Sequence, residues 1–151
     1  MIISTRIRWG LAISHTALIT VLSLISSSDM PDVGPAIPHF DKIGHFGMYG
    51  IMAVLFIWAA GSKNLDRINM MDRIGKRKMV LLVVIGCSLY GVTMEGLQAI
   101  LRPGDRAFEI ADMIANTLGA ITFGVAIGIR ARILTGSTRP TGSERELKPS
   151  L

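Results

Sequence analysis

Four long segments of this chain carry almost no charge. They are Trp9–Ser28, Ile43–Ala60, Met79–Leu101 and Ile110–Ile129, each 18 to 23 residues long. A helix that crosses the hydrocarbon of a bilayer needs about 20 apolar residues. A soluble bundle of the same length would give each helix one polar face, whereas here the charges are gathered into the connections. The pattern predicts an all-α, polytopic membrane protein, a bundle of four transmembrane helices. Residues 1–8 form a short N-terminal segment. Residues 9–130 form the bundle, with spans at about 9–28, 43–60, 79–101 and 110–129. Residues 131–151 lack apolar periodicity and are expected to be a disordered tail. The first span follows Arg6 and Arg8, as a signal peptide's apolar core would, but it is longer than such a core. It reads as a retained signal-anchor helix.

The net charge is +5, which raises the question of nucleic acid. No basic stripe is interleaved with aromatic residues, so a nucleic-acid partner is excluded. The basic residues follow topology instead. With the N-terminus inside and four spans alternating, all but Lys42, Arg102 and Arg106 of the 16 Lys and Arg residues lie in inner segments. Cytoplasmic loops are enriched in these residues, so both termini are expected in the cytoplasm. The lone Cys87 sits inside the third span and cannot form an intrachain disulfide.

Some polar residues remain inside the spans, and there ionisable groups mark function by default. Asp41, His45 and Tyr49 are spaced i, i+4, i+8 and share a helix face at the start of the second span. Lys42 lies beside them, and Gly44, Gly47 and Gly50 suit close helix approach. In the third span Ser88, Gly91, Glu95, Gln98 and Arg102 fall on one stripe. Glu95 lies six residues before the end of that span, roughly 9 Å below the membrane boundary at 1.5 Å per residue. A hairpin containing Arg102, Asp105, Arg106 and Glu109 follows. Asp112, Asn116, Gly119 and Phe123 then line one face of the fourth span, next to a small-residue stripe of Ala120, Gly124 and Gly128. His15 in the first span reads as a packed residue hydrogen-bonded to a neighbour.

The charge-derived topology sets the three polar stripes at one depth on the extracytoplasmic side. A shared polar pocket accounts for them together, built from Asp41, Lys42, His45, Tyr49, Glu95, Gln98, Arg102, Arg106, Asp112 and Asn116. Glu95 either pairs with Arg106 or Arg102 or keeps its proton. His45 exchanges protons near neutral pH, and an arginine offers a planar fork to phosphate or carboxylate. Asp41, His45, Glu95 and Asp112 have the chemistry to hold a divalent metal. Their spacing, however, matches no metal motif, so no metal and no cofactor are expected. There is no HExxH, no Cys/His zinc spacing and no nucleophile elbow. No residue can therefore be given a catalytic role, and enzymatic activity is not expected.

Two stretches, DKIGHFGMYGIMAVL and MEGLQAILRPGDRAFEIADMIANTLGA, resemble the VanZ-like family of small bacterial membrane proteins. The shared pattern is Asp-Lys-x-x-His opening one span and Glu-x-x-Gln near the end of the next. An arginine follows in the hairpin, and the last span has Asp followed by Asn-x-x-Gly. Asp41, Lys42, His45, Tyr49, Glu95, Gln98, Arg106, Asp112, Asn116 and Gly119 match it. Arg102 is an additional candidate for the hairpin arginine. The resemblance implies a multi-pass protein of the bacterial cytoplasmic membrane. The family takes its name from a member associated with resistance to the glycopeptide teicoplanin, and the resemblance supplies no reaction. Three functions fit these residues. The first is binding or processing of the polar headgroup of an envelope lipid or glycan intermediate. The others are a small proton-coupled transporter and a structural partner within a membrane complex. The expected partners are membrane lipids, with a second copy or another membrane protein also compatible.

Overall fold

The structure, a computed structural model, describes residues 3–25, 40–61, 70–101 and 109–136. They form four helices: α1 (Thr5–Leu24), α2 (Phe40–Ala60), α3 (Met70–Leu101) and α4 (Ile110–Gly136). Each contains a stretch long and apolar enough to cross a membrane, and the described residues contain no strand. Residues 26–39, 62–69, 102–108 and 137–151 lie outside the described residues, and with them most of the hairpin and most of the tail expected at 131–151.

Helix ends do not coincide with the ends of the apolar runs. α1 begins at Thr5, where the Ser4 hydroxyl accepts a hydrogen bond from the Ile7 amide. This N-cap satisfies one of the amides that a helix start leaves open. α3 begins at Met70, nine residues before the span expected from residue 79, and α4 continues to Gly136, into the segment expected to be a disordered tail. Extending a helix is far easier than nucleating one, and no proline interrupts either extension. Apolarity therefore bounds the membrane-embedded part without ending the helix.

Side-chain contacts give the helix directions. Arg8 of α1 reaches Trp58 and Gly61 at the end of α2, and His15 bonds the Met48 carbonyl at 3.0 Å. These two helices are antiparallel. Tyr90 meets Thr16 and Thr20, and Gln98 meets Ser23, so α3 runs parallel to α1. Lys42 faces Asp112, and Gly50 faces Phe123, so α4 runs parallel to α2. The starts of α2 and α4 thus share one end of the bundle with the finishes of α1 and α3.

The most extensive pairing is α2 with α4, and glycine makes it possible. A Cβ at Gly119 would run into the Phe46 carbonyl, meeting its carbon at 2.9 Å. One at Gly50 would lie 2.6 Å from the Phe123 ring. Gly124 fits against Val84 of α3 in the same way. The expected glycine stripe is corrected here, because at Gly44, Gly47 and Gly128 no neighbouring atom of the described residues comes within 4 Å of the place a Cβ would take. Periodicity identified the face, but only the residues at the crossing point are squeezed.

The core consists of Ile19, Tyr49, Met52, Ala53, Cys87 and Ala120, drawn from all four helices. Outward positions are apolar too: Leu82, Ile100 and Ile110 are 68%, 76% and 65% exposed. Only 22% to 33% of each spanning window is buried within the bundle. In water this exterior would aggregate, whereas in lipid it is ordinary. At the opposite end from the polar residues, Arg8 is buried and donates to the carbonyls of Trp58 and Gly61 at 3.1 and 3.4 Å. Its guanidinium also stacks over the Trp58 ring. Arginine here satisfies open carbonyls at a helix C-terminus, a role that its place before an apolar run did not signal.

Replacing Gly119 with Ala should separate α2 from α4. We expect it to lower stability by about 2 kcal/mol or more, the range for overpacked cores. Gly44→Ala should be neutral within about 0.5 kcal/mol. Denaturant titration in mixed micelles checks both, and equal effects would contradict this packing.

Candidate functional site

The polar residues meet where α2 and α4 begin and α3 approaches its end. Lys42, in the first turn of α2, contacts three carboxylates with its ammonium. Nζ lies 2.6 Å from Asp41 Oδ2 and also donates to Glu109 Oε2. It lies 2.6 Å from Asp112 Oδ1, a charge contact off the hydrogen-bonding direction of that oxygen. Asp41 and Glu109 are more than half and nearly half exposed, whereas the Asp112 side chain is 11% exposed. Lys42 thus bridges from the surface to a buried anion.

One turn further along α2, His45 faces α4. Its Nδ1 lies 3.0 Å from Asn116 Oδ1. An amide oxygen can only accept, so Nδ1 carries the hydrogen. The other ring nitrogen, Nε2, lies 3.8 Å from Asp112 Oδ2. Asp112 therefore turns one oxygen to Lys42 and the other to His45. The crossing at Gly119 positions this group by setting α2 and α4 close enough for their side chains to meet across the contact. Gly91 does the same for α3, since a Cβ there would lie 3.0 Å from Asn116 Cβ and 3.1 Å from Tyr49.

Glu95 of α3 completes the cluster. It is 1% exposed, and its Oε2 has no hydrogen-bond partner among the described residues. One ligand atom each from His45, Glu95 and Asp112 can be chosen so that all lie within 4.8 Å of one another. Asn116 is equally buried, and its Nδ2 likewise has no partner among the described residues.

Among the predicted site residues, Asp41, Lys42, His45, Glu95, Asp112 and Asn116 thus come together. Tyr49 packs one turn deeper, within the apolar core and beside the Tyr90 ring. Gln98 is buried but is used elsewhere: its Nε2 donates to the Ser23 carbonyl at 2.9 Å, tying α3 to the end of α1. Arg102 and Arg106 lie outside the described residues. Glu109 was not among the predicted site residues. The signal that could have found it was its position three residues before Asp112, where a helix start places both near one face. His15 is a packing residue, as its sequence context suggested. A cavity of about 590 Å³ lies elsewhere, lined by residues such as Phe56, Leu82, Cys87 and Tyr90, and none of the clustered residues borders it.

Four helices long and apolar enough to span a membrane, with a buried group of carboxylates, an amide and an imidazole at one end, define a multi-pass membrane protein with a polar cluster inside its bundle. The chain belongs to the VanZ/LLP1 family, whose model matches residues 5–131. Comparison with curated proteins and with solved structures gives no significant match.

The Lys42 contacts differ in exposure, so their strengths should differ. A double-mutant cycle with Lys42→Met and Asp112→Asn is expected to give a coupling of about 1 kcal/mol or more. The cycle with Asp41→Asn should give less than about 0.5 kcal/mol, because exposed pairs are weak. Equal couplings would show that Asp112 is not the anchoring partner.

Proposed function

We propose that this protein binds the polar headgroup of an envelope lipid or glycan intermediate at the outer face of the bacterial cytoplasmic membrane. The reading places both termini in the cytoplasm, following the distribution of Lys and Arg. The observation that carries it is the buried cluster of His45, Glu95, Asp112 and Asn116, joined to the surface through half-exposed Asp41 and Glu109. A bundle with an apolar exterior is open to lipid from the side, and its polar end then meets the headgroup layer.

The residue chemistry favours a headgroup with both hydrogen-bond donors and negative charge. Carboxylates and the Asn116 amide suit hydroxyl or amine groups. The segment joining α3 to α4 carries Arg102 and Arg106 in its sequence, and arginine suits phosphate. No bond-breaking step is assigned to these residues.

Lipids that remain bound to protein purified in native lipid particles test this reading by mass spectrometry. One polar lipid class is expected to be enriched over the bulk membrane, with at least a tenfold loss of that enrichment in Glu95→Gln and in Arg106→Ala. Unchanged lipid content in both variants would remove the proposal. Sidedness is checked separately by labelling single cysteines in cells with a membrane-impermeant reagent, in a Cys87→Ser background. A cysteine replacing Pro35 should react and one replacing Ser143 should not; the reverse result would invert the topology.

A further inference from the structure

We propose that His45, Glu95 and Asp112 form a binding site for one divalent transition-metal ion of the Mn²⁺ to Zn²⁺ class. The three residues come from α2, α3 and α4, and their ligand atoms lie within 4.8 Å of one another. Three donors about 2.1 Å from an ion at tetrahedral angles are separated by roughly 3.4 Å. Side-chain rotation of about an ångström closes the set around an ion. Imidazole with two carboxylates is a donor set for this class of metal, more nitrogen-rich than Mg²⁺ or Ca²⁺ prefers.

Three independent features point to a ligand. The first is Glu95, 1% exposed, with Oε2 unpartnered among the described residues. A carboxylate buried this far from water requires a cation or a proton. The second is the orientation of His45. Asn116 Oδ1 accepts from Nδ1 at 3.0 Å, so in the neutral ring Nε2 offers its lone pair towards Asp112. An outer hydrogen bond that selects the metal-binding tautomer in this way is the usual support of a histidine ligand. The third is the division of labour at Asp112. Its Oδ1 is engaged by Lys42, whereas Oδ2 lies 3.8 Å from His45 Nε2. Lys42 contacts Asp41, Glu109 and one oxygen of Asp112, so the outer acidic group has a cation in place. No Lys or Arg among the described residues contacts Glu95, and a divalent ion would supply the positive charge that Glu95 and the second Asp112 oxygen lack.

This inference does not depend on the headgroup reading, because metal content can be measured without any lipid ligand. Tag-free full-length protein in detergent is stripped with chelator and dialysed against Zn²⁺ or Mn²⁺. Bound metal is then counted by inductively coupled plasma mass spectrometry. About one ion per chain is expected for the parent protein. Less than a tenth of that is expected for Glu95→Gln and His45→Gln, each checked for a single species on gel filtration and unchanged helix content. Asn116→Ala should keep the stoichiometry but raise Kd by about 10- to 100-fold, the usual effect of losing an outer-shell partner. The parent should also melt at higher temperature with metal than without, and His45→Gln should not. If the parent takes up no metal, the proposal fails. If Glu95→Gln and His45→Gln both bind as much metal as the parent, the ion lies elsewhere and the proposal fails equally. Should a variant not fold, the metal-dependent melting shift of the parent and the Kd of Asn116→Ala decide the matter.

Discussion

The close approach of α2 to α4 at Gly119 is the contact on which the polar end of this bundle depends. In hydrocarbon, helices gain little by hiding apolar surface from one another, so association relies on tight packing and on polar contacts between helices. Gly119 lets the backbone of α4 reach the Phe46 carbonyl, and Gly50 takes the Phe123 ring. With the helices parallel and this near, residues one turn nearer the membrane surface are brought face to face. His45 finds Asn116, and Lys42 finds Asp112. The same two helices supply both the tightest packing and most of the polar cluster.

Charge is distributed by depth. At the outside, Lys42 gathers Asp41, Glu109 and Asp112, with water able to screen the first two contacts. Further in, His45, Glu95 and Asp112 stand together where water cannot help. An unpaired charge in such a place is expensive, and such positions persist in membrane proteins when something partners them. Lys42 stands at the outer side, and no Lys or Arg among the described residues contacts Glu95 inside, which is what gives the inner group its interest. At the far end of the bundle the requirement is met differently. Arg8 uses its guanidinium on backbone carbonyls and an indole ring.

The sequence made the polar cluster legible because a charge within an apolar run stands out by itself. Asp41, Lys42, His45, Glu95, Asp112 and Asn116 were all identifiable by that rule together with helical periodicity. Gln98 obeyed the same rule, yet its partner is the Ser23 carbonyl on α1. A stripe gives the direction of a side chain but not which neighbour occupies that direction. Tyr49 likewise shared a face with His45 but lies one turn deeper, where the face has become core. Glu109 was hidden for the opposite reason, since a charge in a connection is unremarkable until the helix start beside it is located.

By itself the sequence determined the number of helices, their membrane character and the level at which the polar residues cluster. The hydrocarbon imposes both the length of a span and the rarity of charge within it. Only the tertiary structure decided which glycines are crossing points, that α2 pairs most closely with α4, and how Asp112 divides its oxygens between Lys42 and His45. Those outcomes depend on distances between helices, and periodicity along one helix carries no information about them. Glu95 shows the division most plainly. Its cost was evident from its position in the chain, but only the packing of three helices around it set an imidazole and a second carboxylate at its side.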